Sequence, residues 1–326
     1  MPPSRKGGGL ISEDGKAIDS VWRRPYLPPM KRPGIFIQTN AKQAIGAIVS
    51  AYSMKRNSAH ADEFDVTIMR SEDYPFFQAR EGQSFMRNRV KRVWRNSDLQ
   101  SFTLVRFLPP QLMNYEGRAV VVDPDVFAIG DVWELLSRDM GGRAIMCRPH
   151  KHGRGGYATS VMLLDCAKLK HWQVEQGFNE LFDMKRDYGD WISLKLEPPD
   201  SISQIEPEWN DFDRLTPATR MVHNTRRRTQ PWKTGLQVDY VPFENIPVYG
   251  WLMQMRRKFF GDYGLLGRYA RHPDRNQENL FFGLLRECLE NGLVSETEIK
   301  DAMSHDYVRH DAFDVIAKVP PLKKAA

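Results

Sequence analysis

Two carboxylates one residue apart close an apolar run in the first half of the chain, Arg118-Ala-Val-Val-Val-Asp123-Pro124-Asp125. A second apolar step and Gly130-Asp131 follow at once. Oxygen donors delivered together at the end of a buried strand suit a hard divalent ion, held directly or through water and a ribose hydroxyl. Residues two apart in extended backbone face the same side, and Pro124 biases Asp123 toward that conformation. An Asp-Pro-Asp surface turn is the bland alternative, and the apolar strand before it favours metal. Further along, Met221-Val-His223 brings an imidazole out of an apolar step, followed by Arg226-Arg-Arg228 and Pro231-Trp232-Lys233. Neutral imidazole ligates Mn²⁺ and similar ions. Guanidinium and ammonium groups match phosphate oxygens. Trp232 offers an apolar wall for a sugar ring, or packing for its own turn. The two stretches together describe the halves of a metal–diphosphate site. A second acid-x-acid triplet, Asp211-Phe-Asp213, lacks a preceding apolar strand and reads as a helix cap or surface acids.

The elements that must position these groups follow from periodicity. Ile35 to Asn40 reads as a strand ending in polar groups, and Phe64 to Met69 as another. Between them Ala44, Ile45, Ile48, Val49 and Tyr52 recur at helical spacing, so 41–56 is an amphipathic helix. Strand, helix, strand is a βαβ unit, which favours parallel pairing. A helix is expected over the basic segment 85–96. Strands are expected at 119–122, 144–146 and 160–164, and a further helix over 169–182. Asp131 with Glu134 has the capping-box pattern. From Val248 onward the character becomes helical, with segments 248–260, 277–291 and 295–304. Ser295 with Glu298 caps the last of these, and Gly292 closes the one before. The expected organisation is a Pro- and Gly-rich N-terminal arm over 1–31, an α/β body over 32–240 and a helical lobe over 241–326.

Composition bounds the class. The 326 residues carry 47 basic and 41 acidic groups, a net charge of +6. That balance is compatible with phosphorylated ligands, nucleic acid or an ordinary soluble surface. No apolar run approaches the roughly 18 residues that span a bilayer, and the N-terminus lacks a signal-peptide core. Three separated cysteines, Cys147, Cys166 and Cys288, fit reduced thiols. A cytoplasmic location is therefore expected, with peripheral contact to a membrane surface as a second expectation hinted at by the basic segment 80–95.

At this point the chain resembles the glycosyltransferases of family 8, which share the GT-A (Rossmann-like) fold. Thr39-Asn40 matches the polar end of that family's first strand. Val121 to Leu135 matches its acid-x-acid motif with the following Gly-Asp and Leu. Ala158-Thr-Ser-Val-Met-Leu163 followed by Asp165, then Glu208-Trp209-Asn210, then His223 to Trp232, match its later elements in order. The matches span roughly residues 34–235. The resemblance implies a mixed sheet flanked by helices and a Mn²⁺ (or Mg²⁺) ion on Asp123, Asp125 and His223. It implies a nucleotide-sugar donor, a UDP-sugar above all, with retention of anomeric configuration. Thr39 and Asn40 would lie near the base. Arg106, Val122, Asp123, Arg226, Arg228, Trp232 and Lys233 complete the nucleotide-binding set. Thr159, Ser160 and Asp190 are the candidates beside the reacting sugar, and the acceptor is a glycan, lipid or protein. Three departures stand out. Gln230 replaces the lysine usual before Pro-Trp, Ala-Thr-Ser replaces Asn-Ser-Gly, and the usual Asp-Gln pair has no clean counterpart except Asp190 in Tyr188-Gly-Asp-Trp191.

Two rival readings are a nucleic-acid-binding protein using 80–95 and Arg226–Arg228, and a catalytically silent relative that only binds the donor. The first lacks the aromatic interleaving of RNA modules, and no nucleic-acid partner is expected. Cys147, His150 and His152 lack the paired second half of a zinc site. The glycines at 153, 155 and 156 precede a strand, not a helix, which argues against a phosphate-binding loop.

Overall fold

The computed structural model describes residues 32–98, 101–150, 155–240, 247–260 and 267–323. The expected N-terminal arm and residues 152–154 of the Gly-rich turn lie outside them. The strands are β1 (Gly34–Thr39), β2 (Asp65–Arg70), β3 (Ser84–Arg87), β4 (Val90–Val93), β5 (Arg118–Val122), β6 (Val126–Ala128), β7 (Ile145–Pro149), β8 (Tyr157–Asp165), β9 (Ile202–Gln204), β10 (Asp211–Phe212) and β11 (Met221–His223). The α-helices are α1 (Ala44–Arg56), α2 (Pro75–Gln78), α3 (Pro109–Leu112), α4 (Trp133–Leu136), α5 (Val174–Phe182), α6 (Tyr188–Ile192), α7 (Pro247–Phe260), α8 (Arg275–Glu290), α9 (Glu296–Ser304) and α10 (Ala312–Lys318).

The main sheet has six strands in the order β2-β1-β5-β8-β7-β9. The expected β1-α1-β2 unit pairs in parallel from Gly34↔Asp65 to Thr39↔Arg70, and β1 is parallel to β5 as well. Direction then reverses: β8 runs antiparallel to both β5 and β7. The sheet is mixed, α/β in class, with its apolar strands buried on both faces. Alternation along β5 explains the unbroken run in its sequence. Val121 packs with Phe36, Phe178 and Leu181 on one face. Val120 and Val122 pack with Ile35, Ile37, Ala47 and Met54 on the other. Two-sided burial removes the polar positions that a half-exposed strand would show.

Several expectations are corrected. The segment expected as a helix over 85–96 is the hairpin β3-β4. Its turn residues Asn88 and Arg89 have φ of 52° and 63°, the left-handed pair that a two-residue hairpin turn requires. Both amides donate to the Asp187 carboxylate, at 2.9 and 2.7 Å. That bond spans about a hundred residues of chain, and no local pattern announces it. The helix expected over 169–182 begins at Val174, after a 3₁₀ turn at Cys166–Lys168. The capping box expected of Asp131 and Glu134 does not form: α4 is one turn long, its N-cap is Val132 without a side-chain cap bond, and Asp131 only accepts from Trp133 N at 2.9 Å.

The C-terminal helices share a core with the sheet domain. Ile45 and Val49 of α1, Phe127 of β6 and Trp232 pack with Phe281, Leu284 and Leu285 of α8 and Ile299 of α9. Arg56 and Tyr52 both bond Glu287 from α1. The Ser295/Glu298 capping box is present, and Gly292 sits at φ 68° just past α8. The three cysteines are buried and unpaired. Burial pushes the Cys166 thiol up to about 12.

Candidate active site

The parallel strands β1 and β5 end at the same sheet edge, so Thr39-Asn40 and Asp123 emerge side by side. Asp123 N donates to Ser160 O at 3.0 Å, which ties the antiparallel β8 to that edge. The chain does not stay extended through the acids. Pro124 and Asp125 form a turn closed by Val126 N donating to Asp123 O at 3.2 Å. This corrects the expected extended pair; the turn itself swings both carboxylates to one side. β6 then pairs with β11, placing His223 opposite Val126, and Asn224 N donates to Asp125 O at 3.1 Å. The α1 helix holds the outer edge of β6 through Ser50 Oγ to Val126 O, 2.6 Å, and Ala128 N to Ser53 Oγ, 2.9 Å. Gly46 lets α1 come this close: a Cβ there would stand 2.7 Å from Pro124 O.

Ligand atoms of Asp123, Asp125 and His223 lie within 4.8 Å of one another. Each is anchored by one atom. Asp123 Oδ1 accepts from Arg106 Nη2 at 2.8 Å and from Gln38 Nε2. Asp125 Oδ2 accepts from Gln230 Nε2 at 3.1 Å, while its Oδ1 stands 3.3 Å from His223 Nε2. His223 Nδ1 meets Asn210 Oδ1 at 2.9 Å, and Asn210 Nδ2 donates to Ser160 Oγ at 2.9 Å. The Asn210 oxygen therefore accepts from Nδ1–H, which leaves Nε2 as the ligating atom of a neutral ring. Two carboxylates and one imidazole aimed at a common point fit a Mn²⁺-type ion, whose preferences admit mixed oxygen and nitrogen donors.

Burial pushes the Asp123 carboxyl above its usual range, against the pull of Arg106. Burial works the other way on His223, but Asp125 and Asp123 outweigh it and hold the imidazolium above its ordinary value. Protons and a metal thus compete for the same lone pairs. With a raised folded-state value, His223 contributes stability that is complete below its ordinary value of 6.5 and lost as pH rises through the folded value. The raised Asp123 has the same sign. Mn²⁺ affinity is therefore expected to rise severalfold between about pH 6 and pH 8. Calorimetric titration across that range checks it, and a flat profile would show that neither group ligates.

Two cavities meet over this cluster and share Arg106, Asp123, His150, Ile192, His223 and Thr225. One, about 550 Å³, runs along Gln43, Phe102, Thr103, Asp125 and Arg227. The other, about 480 Å³, runs along Tyr157, Thr159, Ser160, Ser193 and Lys195. Beside the first, Asn40 Oδ1 and Gln43 Oε1 are buried and accept no hydrogen bond from the described residues.

The structure brings together some of the expected residues and separates others. Thr39 and Asn40 are buried at the strand edge, and Val122 packs in the core behind Asp123. Arg106 is buried in the centre, bonding Gln38, Thr159 and Asp123. Ser160 and Thr159 line the second cavity, but the Thr159 hydroxyl already donates to Ile192 O at 2.6 Å. Asp190 lines a separate hollow with Glu180, Arg186 and Glu197, and its carboxylate pairs with Lys195 at 3.7 Å. Arg226 and Arg228 are exposed, and Arg227 is the member of the run that lines the metal-side cavity. Asp213 is neither a helix cap nor a surface acid: it accepts from Arg226 N and the Thr225 hydroxyl and fixes the loop after His223. Asp211 is buried on the Thr219 hydroxyl.

Trp232 and Lys233 are core residues. Trp232 packs on Phe281 with the rings tilted by 32° and 4.7 Å between centroids, and is 2% exposed. Lys233 is 1% exposed, with Nζ 2.8 Å from Asp306 O and 3.4 Å from Asp239. Burial depresses its ammonium, with Asp239 pulling the other way. Neither presents a face to a sugar or phosphate. Trp232→Ala is accordingly expected to cost about 3–5 kcal/mol of stability, read by denaturant unfolding. Nucleotide affinity of the remaining folded protein should be unchanged; a selective loss of affinity would restore the sugar-wall role.

Gln38, Asn210 and Gln230 are the site residues that sequence reasoning did not assign. Asn210 sits in the Glu208-Trp209-Asn210 element and Gln230 just before Pro231-Trp232; each gains its role from a partner distant in the chain.

No protein-family model matches the chain, and no curated protein does. Solved structures similar to it include the glycosyltransferase GlyE of Streptococcus pneumoniae TIGR4, at 15% identity and a TM-score of 0.45 over 81% of this chain and 64% of that one. The bifunctional glycosyltransferase WbbM is similar at 14% identity and 0.43, over 64% and 48%. The galactosyltransferase LgtC, solved with donor and acceptor sugar analogues, is similar at 11% and 0.42, over 61% and 89%. The chain spans about half of the WbbM chain and just under two thirds of GlyE.

Proposed function

We propose that this protein is a metal-dependent glycosyltransferase that moves a sugar, with retention, from a UDP-sugar to a hydroxyl acceptor on a glycan, lipid or protein. The observation that carries the reading is the convergence of Asp123, Asp125 and His223 at the edge where two cavities meet. A bound Mn²⁺ would neutralise the donor diphosphate and act as a Lewis acid toward its departure. The rest falls to the chain itself. Asn210 sets the histidine tautomer, and Gln38 and Gln230 hold the outer carboxylate oxygens. Arg227 offers a guanidinium to phosphate oxygens in the metal-side cavity. The unpartnered oxygens of Asn40 and Gln43 suit N–H or O–H donors of a base and ribose. The second cavity, with Ser160, Ser193 and Lys195, accommodates sugar and acceptor. Among the described residues, the carboxylates lining the two cavities are Asp123 and Asp125, both tied to the metal cluster. That supports attack by the acceptor hydroxyl itself in place of a protein nucleophile.

A screen of nucleotide-sugars with Mn²⁺, reading nucleoside diphosphate release, tests the reading. Release from a UDP-sugar that chelation abolishes is expected. Binding without any release or transfer would leave a silent donor-binding protein, and no binding would remove the reading altogether.

A further inference from the structure

The strongest feature outside the site is α7. Val248, Trp251, Leu252, Met255 and Phe259 recur at helical spacing of three, four and seven, and fall on one stripe. That stripe faces outward: Val248 is 77%, Trp251 61%, Leu252 49% and Phe259 68% exposed, and Phe260 at the helix end is 71% exposed. A neighbouring stripe, about a third of a turn round the helix, is also apolar but occupied. Met253 is 1% exposed, and with Tyr249 it packs on Leu236, Val238, Tyr240 and Tyr269. Among the described residues, one face of the helix is thus spent on the protein and a second has no apolar partner. An isolated exposed leucine needs no explanation, but a contiguous stripe with a tryptophan and a phenylalanine does.

Charge identifies the occupant. The last half of the helix reads Met255-Arg256-Arg257-Lys258-Phe259-Phe260, and the whole segment from Pro247 to Phe260 contains no Asp or Glu. The Arg256 guanidinium lies over the Phe260 ring at 5.3 Å, so cation and aromatic share one patch. Among the described residues no helix is long and apolar enough to cross a membrane. Aromatic side chains beside a purely basic run, on a helix too short to span, match the headgroup–acyl boundary of an anionic bilayer. We propose that α7 is a membrane-surface helix that docks the protein on anionic lipid through Trp251, Leu252 and Phe259. This relocates the sequence-based hint of membrane contact, which rested on the basic 80–95 segment, now a hairpin. The inner face of α7 joins the cluster of Tyr240, whose ring lies 5.4 Å from the Arg227 guanidinium of the metal-side cavity. The docking helix therefore packs on the same loop that serves the site. The inference stands on α7 alone, and its failure would leave the metal cluster untouched.

The test is co-sedimentation of the full chain with phosphatidylcholine vesicles, with and without about a third phosphatidylserine. Binding to the anionic vesicles that weakens with added salt is expected, and Trp251→Ser/Phe259→Ser should lower it by about tenfold or more. Both positions are exposed, so the variant should unfold at the wild-type temperature. As a second readout, brominated lipid should quench part of the wild-type tryptophan fluorescence, and Trp251→Phe should remove that part. The proposal is overturned if the wild type ignores anionic vesicles, or if the double variant binds as well as the wild type. It is equally overturned if the double variant abolishes self-association or RNA retention while vesicle binding is absent.

Discussion

Asp125→Ala is expected to lower sugar transfer by about a thousandfold and to make nucleoside diphosphate binding indifferent to Mn²⁺. The size of the effect follows from the position of the residue. Asp125 is one of three ligand atoms converging within 4.8 Å, and its other oxygen is held by Gln230. Removing it leaves Asp123 and His223 on one side of the ion, too few to hold a divalent cation against water. Folding should survive, because the turn is also fixed through main-chain bonds from Asn224 N and to Ser160 O. Product formation under saturating donor, with a melting curve as control, reads the outcome. Residual transfer within about tenfold of wild type would mean that the cluster is not the diphosphate clamp.

Arg106→Met is the second large effect, and it falls on stability. Arg106 is 6% exposed and is the cation that faces Asp123 Oδ1, while also bridging Gln38 and Thr159. Its loss leaves a largely buried carboxylate without a counter-charge, at a cost of about 3 kcal/mol at neutral pH. The sign with pH is definite. Burial already holds the Asp123 carboxyl above its usual range, and Arg106 is the main influence lowering it. Without Arg106 that value climbs further, so the deficit should shrink as pH falls and Asp123 binds a proton. Saturating Mn²⁺ should also restore part of the loss, since an ion supplies the missing charge. Denaturant unfolding at two pH values, with and without metal, checks all three. A variant as stable as wild type at neutral pH would contradict the pairing.

The legible part of the fold was the part written locally. Period 3.6 in Ala44 to Tyr52 and the apolar runs at 35–37 and 119–122 placed the βαβ unit and the acid-bearing strand. The acids and the histidine were identified from residue type and from an apolar step before each. The hairpin at 84–93 escaped because Phe85, Val90 and Val93-Trp94 mimic helical spacing. Its turn depends on Asn88 and Arg89 in the left-handed region and on Asp187, which no local rule links to them. By residue type Lys233 reads as a phosphate-binding group, and Trp232 as a sugar wall or as packing for its own turn. Packing decides otherwise: α8 returns from far along the chain to cover Trp232, and Asp306 O and Asp239 hold the Lys233 ammonium inside. Asn210 and Gln230 have no signature of their own; their function exists only because β10, β11 and the acid turn meet. Pairwise distance, not composition, creates such roles.

The most direct test is a titration of UDP into the wild-type protein, near neutral pH, with and without Mn²⁺. A site built from Asp123, Asp125 and His223 to receive a diphosphate through a divalent ion predicts that Mn²⁺ tightens UDP binding by about tenfold or more. The same UDP affinity in Mn²⁺ and in chelator would contradict it.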